Sequence, residues 1–534
     1  MVGAMVGGAM VWPKWSSPTE PDGLAQTPPM GFNNWTATYC NDTFGEAMVK
    51  SIADVMVAKG LKDLGYEYVN IDDCWALPER GSDGNLVPDP VRFPHGVKAL
   101  ADYVHQNGLK FGIYTSAGTK TCDPHGFPGS LDHEVTDANQ FAAWGVDFVK
   151  YDNCNNQSVD AEHRYLTMRN ALKATGRPIL LSLCEWGQNK PWLWAVDVGH
   201  MWRTGSDIAD NWAGVLENLG QTLPLAQYAG PGHWNDPDLL QMGNGGMTDA
   251  QYRSQFSLWS IMAAPLIVGS DLRNATPETL AIITNADVIA VDQDPLGRAG
   301  HEVKSTNGRR VIVKPLQGGD QAVALFNQND TDATIDADLG EMGFDSGLYV
   351  VKDLWSKATH QATGNTLSAS VPAYSTALYR ISPVRPRAAG RWNLSELVEL
   401  RSSNGWGPFE TDRSNGDQAI GDGQPMTLRG ARFKQGLGVN APSEIDYYLG
   451  GTCSTFTTSV GVDDDAEGHG SVKFQIYVDD ALVGDSGLMT GTMPAKSLSA
   501  DLSHADTLKL VVQDGGDGIE FDHGDWAEPT IDCA

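Results

Sequence analysis

The chain has 534 residues, too many for one ordinary core, and typical domain sizes divide it into roughly two to four units. Its 67 acidic against 37 basic side chains leave a net charge of −30, which repels phosphate backbones and anionic membrane surfaces and sets nucleic acid aside as a partner. A neutral ligand such as a sugar meets no such repulsion, and 16 Trp with 15 Tyr supply flat apolar faces on which pyranose rings can stack.

Residues 1–24 begin with a small apolar stretch, Met1 to Val11, that lacks the basic segment of an export leader. They read as a leader remnant or a misplaced start, outside the fold. No apolar run reaches the roughly 18 residues of a membrane span. The seven cysteines, Cys40, Cys74, Cys122, Cys154, Cys184, Cys453 and Cys533, are widely spaced and form no C-x-x-C pair, which favours disulfides over zinc or a redox dithiol. An odd count leaves one thiol over. Cys184, at the end of the apolar run from Ile179 to Leu183, is the expected free one.

From residue 25 to 298 short apolar runs alternate with helical periodicity, as in Gly45–Leu64 and Val97–Asn107. Eight such runs begin at Met30, Tyr68, Lys110, Phe148, Ile179, His200, Gly232 and Pro265, the count and length of a (β/α)8 TIM barrel. Their C-terminal ends collect Asp72, Asp73, Asp152, Glu185, Arg203, Asp207 and Asp236. A barrel places all such ends on one rim, so residues far apart in sequence converge on one pocket. Any one of these acids alone would read as a turn or helix cap.

Near residue 299 the texture changes to strands with Gly and Asn/Asp turns, which predicts an antiparallel β-sandwich domain over 299–383. Residues 384–390 are rich in Pro and charge and read as a linker. A second β-sandwich, jelly-roll-like, is expected over 391–534, with clear strands at Phe474–Val478 and Leu508–Val512. Cys453 and Cys533 fall in this module alone and most simply pair with each other.

Glycoside hydrolysis ordinarily takes two carboxyl groups flanking the anomeric carbon. Neighbouring strands lie about 4.8 Å apart, so acids leaning inward from the fourth and sixth strand ends can approach the ~5–5.5 Å of a retaining pair. Lys150 and Asp152, two residues apart, face one side of their strand. The cation is expected to hold Asp152 ionised; a plain structural Lys–Asp pair is the other reading.

Met30-Gly31-Phe32-Asn33-Asn34-Trp35, Ile71-Asp72-Asp73-Cys74-Trp75, Lys150-Tyr151-Asp152-Asn153-Cys154, Cys184-Glu185-Trp186-Gly187 and Trp234-Asn235-Asp236-Pro237-Asp238 resemble the α-galactosidases of glycoside hydrolase family 27. The resemblance spans about residues 25–383. It implies metal-free double displacement with retention, Asp152 as nucleophile and Asp207 as general acid/base. It also implies a galactose subsite of Trp35, Asp72, Asp73, Tyr114, Lys150, Glu185 and Arg203, disulfides Cys40–Cys74 and Cys122–Cys154, and a secreted protein. Glu185 with Trp186 matches enzymes that bind a bare C2 hydroxyl, which disfavours N-acetylgalactosamine. The short Asp73 leaves room for the C5 hydroxymethyl that arabinopyranose lacks, a discrimination worth about 1–3 kcal/mol at most. Three alternatives stay open: β-L-arabinopyranosidase, α-N-acetylgalactosaminidase, and a carbohydrate-binding protein on an inactive hydrolase barrel.

Asn404-Gly405-Trp406-Gly407-Pro408, Lys434-Gln435-Gly436-Leu437-Gly438-Val439 and Asp522-His523-Gly524-Asp525-Trp526 resemble the NPCBM-type sandwiches appended to glycosidases, which implies carbohydrate binding by 391–534. Within it, Asp463-Asp464-Asp465 reads as an exposed acidic turn or as oxygen ligands for a structural calcium. Oligomeric state is not encoded in any of these patterns.

Overall fold

The computed structural model describes residues 23–342, 344, 348–363, 365–383, 389–397, 399 and 401–534. Residues 1–22 and most of the expected linker, 384–388, lie outside the described residues.

Eight parallel strands form the first domain: β1 (Met30–Asn33), β2 (Tyr68–Asn70), β3 (Lys110–Ser116), β4 (Phe148–Asp152), β5 (Leu180–Cys184), β6 (Met201–Arg203), β7 (Trp234–Asp236) and β8 (Leu266–Val268). Their order is β7-β6-β5-β4-β3-β2-β1-β8. The sheet closes beyond β7, where Leu240 forms a parallel bridge with Val268. Leu240 N–H donates to the Ile267 carbonyl at 2.9 Å, and Gly269 N–H returns to the Leu240 carbonyl at 2.8 Å. This is the TIM barrel that the eight runs predict.

Alternation along the strands sorts the side chains. Phe32, Val69, Phe111, Val149, Leu181, Leu183 and Trp202 join one large core cluster with the surrounding helices. Tyr68, Phe148, Leu180, Met201 and Trp234 form a separate cluster that plugs the barrel interior. Two residues further along the same strands come Asn70, Lys150, Ser182, Arg203 and Asp236, and two beyond that Asp72, Asp152 and Cys184. The interior therefore runs from apolar to charged over three layers, with its dry end holding the barrel and its wet end free for chemistry.

The plug also takes in chain at the expected boundary of the barrel domain. Leu24 and Ala25 pack against it, and the Ala25 carbonyl accepts from Trp234 Nε1 at 2.7 Å and from Gly232 N–H at 2.8 Å. The expected boundary of the unstructured segment at residue 24 therefore falls inside packed chain.

After the barrel, a six-stranded antiparallel sheet and the pair Ala333–Asp338 with Thr366–Val371 enclose a core of Val311, Val313, Val323, Leu325, Ile335, Val351 and Ile381. Its docking to the barrel includes Trp355 Nε1 donating to Ser257 Oγ at 2.9 Å, and Trp212 edge-on to Phe326 and Tyr374. The last module faces a sheet containing Gly436–Asn440, Cys453–Val462 and His523–Cys533 against one containing Ser443–Tyr448, Ser471–Val478 and Thr507–Asp514. Phe456, Phe474 and Trp526 fill the space between, the last two edge to face at 5.0 Å. Gly390, read as the end of the linker, already pairs with Cys533 in this module. The Cys453–Cys533 disulfide joins residues directly opposite each other on adjacent strands.

Candidate active site

Asp152 ends β4, in register with Ser116 of β3 and Cys184 of β5. Its Oδ1 accepts from the Asn153 N–H at 2.8 Å, and the residue is buried. Burial pushes its carboxyl up to about 6; Lys150 opposes this, and the like charge of Asp207 adds to it.

The plain structural Lys150–Asp152 pair, the other reading of this strand, gives way to a longer reach. Lys150 Nζ donates to Asp72 Oδ2 at 2.8 Å and sits 5.3 Å from the centre of the Tyr114 ring. Residues two apart on a strand are separated by about 6.6 Å, beyond ion-pair contact for parallel side chains, whereas the flexible lysine stem reaches across the barrel. Lys150 therefore lowers the Asp152 carboxyl only through space.

Asp72 is tightly furnished with donors. Its Oδ2 accepts from Asn33 Nδ2 at 2.8 Å as well as from Lys150, and its Oδ1 from the Asp73 N–H at 2.9 Å. Asp73 accepts from the Cys74 and Asp123 N–H groups, one on each oxygen, at 2.7 and 3.0 Å. With these two N–H groups and the nearby Thr121 hydroxyl, Asp73 still keeps acceptor capacity for a sugar hydroxyl. Burial, the largest influence, pushes Asp73 up to about 6. Tyr114 is fully buried, and burial raises its phenol. Trp35 stands half-buried, edge-on to Tyr39.

Arg203, at the end of β6, joins the remaining acids. Its Nη2 lies 3.0 Å from Asp207 Oδ1 and 3.2 Å from Asp238 Oδ2. Asp207 is the open member of the group, with 65% of its side chain exposed. Desolvation in the cleft works against its charge, but Arg203, Lys150 and the Trp186 indole outweigh it and hold Asp207 below the usual carboxylate range. The pair thus shares its protons unevenly: in the free enzyme Asp152 holds one more tightly than Asp207.

Glu185 is completely buried but is held by its own loop, with Oε2 accepting from Asn189 N–H at 2.8 Å and Asn189 Nδ2 at 2.7 Å. Its Oε1 has no hydrogen-bond partner. The disulfide Cys40–Cys74 ties the loop after β1 to the loop after β2, Cys122–Cys154 ties the loop after β3 to the loop after β4, and Cys184 is a buried free thiol.

Asp238, in the motif Trp234-Asn235-Asp236-Pro237-Asp238, has a role that its sequence position does not announce. Its Oδ2 accepts from the Ile208 N–H at 2.8 Å while facing Arg203, so one carboxylate anchors both the guanidinium and the loop carrying Asp207. Its backbone adopts φ +78°, uncommon for a side chain other than glycine. The alternation Asp236-Pro237-Asp238 at a strand end was the available signal.

In the C-terminal module the run Asp463-Asp464-Asp465 is engaged by protein donors. Asp463 takes the Thr427 and Asp465 N–H groups, Asp464 those of Arg429 and Gly430, and Asp465 takes Ser414 Oγ and faces His523 Nδ1 at 2.9 Å.

Comparison with known proteins agrees with this geometry. Residues 27–294 match the family described as alpha galactosidase A, 306–381 the alpha galactosidase C-terminal beta sandwich domain, and 390–532 the NPCBM/NEW2 domain. Alpha-galactosidase 3 of Arabidopsis thaliana is 50% identical over 368 residues, 68% of this chain and 83% of its own. The crystal structure of alpha-galactosidase I from Mortierella vinacea superimposes with a TM-score of 0.66 at 37% identity, covering 68% of this chain and 98% of its own. The alpha-galactosidase of Saccharomyces cerevisiae with raffinose does so with a TM-score of 0.64 at 31% identity, covering 69% of this chain and all of its own. The chain belongs to the alpha-galactosidase A, or melibiase, family, glycoside hydrolase family 27.

Proposed function

We propose that the protein is a retaining exo-α-galactosidase in which Asp152 attacks C1 and Asp207 serves as acid and then base. The observation that carries this is the pair itself: a buried carboxylate at the end of β4 that feels the charge of an open one beyond β6, the latter held by Arg203. Asp207, on the solvent side, protonates the glycosidic oxygen as the bond breaks, while Asp152 forms a β-linked galactosyl ester. Asp207 then takes a proton from water, which attacks C1 and releases α-galactose. The two carboxyls supply both nucleophile and proton, so neither step calls on a metal.

Asp72 and Asp73 are assigned to the C4 and C6 hydroxyls, Lys150 and Arg203 to the ring's polar edge, Glu185 to the C2 side, and Trp35 and Tyr114 to its faces. Family members bind galactosides, and the raffinose complex in the yeast relative supports the same substrate class here. Three disulfides support folding in an oxidising compartment, hence secretion. Among the described residues no helix is long and apolar enough to cross a membrane.

Rates on three 4-nitrophenyl glycosides test the substrate. The α-galactoside is expected to be hydrolysed at least about tenfold faster, by kcat/KM, than the β-L-arabinopyranoside and the α-N-acetylgalactosaminide. A preference for either of the others overturns the galactose assignment.

The pH profile follows from the shared proton. The active form carries one proton on the pair, because attack needs Asp152 ionised and departure needs Asp207 protonated. That form and its more populated tautomer have the same proton count and titrate together. The proton is lost as pH rises through about 6, so kcat/KM is expected to fall above that value, and to fall again at low pH where Asp207 also protonates. A profile flat from pH 5 to 8 contradicts the shared-proton mechanism.

A further inference from the structure

The C-terminal module gathers three carboxylates that galactoside hydrolysis does not use. Asp514, Asp517 and Asp522 present oxygens that all lie within 4.8 Å of one another. Asp514 ends the strand Thr507–Asp514, Asp517 sits in the following turn, and Asp522 immediately precedes the strand His523–Cys533. Gly516 and Gly518, with φ +100° and +103°, allow the turn to fold back over its own first residue.

Part of this cluster is satisfied from within. Asp514 Oδ1 accepts from the Gly516, Asp517 and Gly518 N–H groups at 2.6, 3.2 and 3.3 Å. Asp522 Oδ1 accepts from the Ser471 N–H at 2.8 Å, and Ser471 Oγ donates to Asp517 Oδ1 at 2.7 Å. One atom breaks the pattern. Asp522 is completely buried, and its Oδ2 has no hydrogen-bond partner.

Burying a carboxylate oxygen without a donor, next to two like charges, is costly unless something neutralises it. Burial, with the charges of Asp514 and Asp517 behind it, pushes Asp522 up to about 7. No described ion pair brings a Lys or Arg to any of the three. Three carboxylates, all oxygen donors, thus crowd together with no Lys or Arg paired to them among the described residues, and the neighbouring His523 opposes the rise at Asp522 only in part.

We infer that Asp514, Asp517 and Asp522 bind a divalent cation, with Asp522 Oδ2 as the buried ligand and calcium as the preferred ion. Calcium–oxygen distances are about 2.3–2.6 Å, so ligands on opposite sides of the ion span about twice that, the scale of this cluster. Magnesium needs about 2.0–2.1 Å and a near-ideal octahedron, which a glycine-rich turn enforces poorly. The ion ties the end of Thr507–Asp514 in one sheet to the start of His523–Cys533 in the other, with Ser471 hydrogen-bonded to two of its ligands. The calcium anticipated for this module is thereby assigned to a different acidic group from Asp463-Asp464-Asp465.

The test uses the full chain after chelation, titrated with calcium chloride by calorimetry and followed by thermal unfolding. Calcium is expected to bind at one site per chain and to raise an unfolding transition by about 5 °C or more, reversed by EDTA. Asp517→Asn, at an exposed position, and Asp522→Asn are each expected to lose at least tenfold in calcium affinity. Hydrolysis of 4-nitrophenyl α-galactoside, which depends on the barrel, should be unchanged in Asp517→Asn and reports that the chain is folded. If Asp522→Asn fails to fold, Asp517→Asn alone carries the test. The inference is overturned if wild type shows neither calcium heat nor a thermal shift, if folded Asp517→Asn binds calcium as wild type does, or if magnesium stabilises as strongly as calcium.

Discussion

Replacing Asp152 by Asn is expected to reduce kcat on 4-nitrophenyl α-galactoside by about 10⁴-fold or more, the loss typical of deleting a catalytic nucleophile. The fold should not suffer, and the sign follows from linkage. Asp152 in the folded chain titrates at about 6, above the unfolded carboxylate near 4, so the stability present below that unfolded value is lost as pH rises through about 6. Two units correspond to about 3 kcal/mol. A neutral Asn is free of that penalty, so the variant's Tm at pH 7 should equal or exceed wild type. Activity within tenfold of wild type removes Asp152 from the nucleophile's role; a collapsed Tm instead marks it as structural. Azide adds a stereochemical readout, because it can enter only by direct attack on the α-glycoside and must give β-galactosyl azide.

Asp207→Ala should behave differently according to the leaving group. With an activated aryl galactoside, departure needs little proton donation, so the first step survives while hydrolysis of the ester slows by about 10²–10⁴-fold for want of a base. A burst of nitrophenol followed by a slow steady state is expected, with KM falling because the intermediate accumulates. With an unactivated galactoside both steps suffer and no burst appears. Azide should now speed turnover by attacking the ester, giving α-galactosyl azide, the opposite anomer from the Asp152 variant. The same anomer from both variants contradicts the division of roles. Loss of the negative charge also leaves Arg203 Nη2 with the Gly205 carbonyl at 3.1 Å and Asp238 at 3.2 Å, so the guanidinium should keep its place.

Much of this site was legible because a barrel turns strand periodicity into geometry. In Phe148-Val149-Lys150-Tyr151-Asp152 the alternation alone separates the inward Phe148, Lys150 and Asp152 from Val149 and Tyr151 in the outer core. Side-chain reach was not legible. Lys150 stands two residues from Asp152, yet its length and the donors required by Asp72 Oδ2 take it across the barrel. Asp238 was hidden for a related reason: its worth lies in the Ile208 N–H and Arg203, contacts made by loop conformation rather than by period. Closure through Leu240 instead of a longer β7, and the packing of Leu24 and Ala25 against the barrel plug, likewise depend on tertiary fit. The unpartnered Asp522 Oδ2 belongs to the same class, since an orphaned atom is a property of three dimensions.

The covalent intermediate gives the most direct test of Asp152 as nucleophile. A fluorinated α-galactoside with a good leaving group slows hydrolysis of the galactosyl ester enough for mass spectrometry of the digested protein. One label per chain is expected, on the peptide containing Lys150-Tyr151-Asp152-Asn153-Cys154 and at Asp152 itself. A label on another carboxylate, or a β-configured product with no label at all, contradicts it.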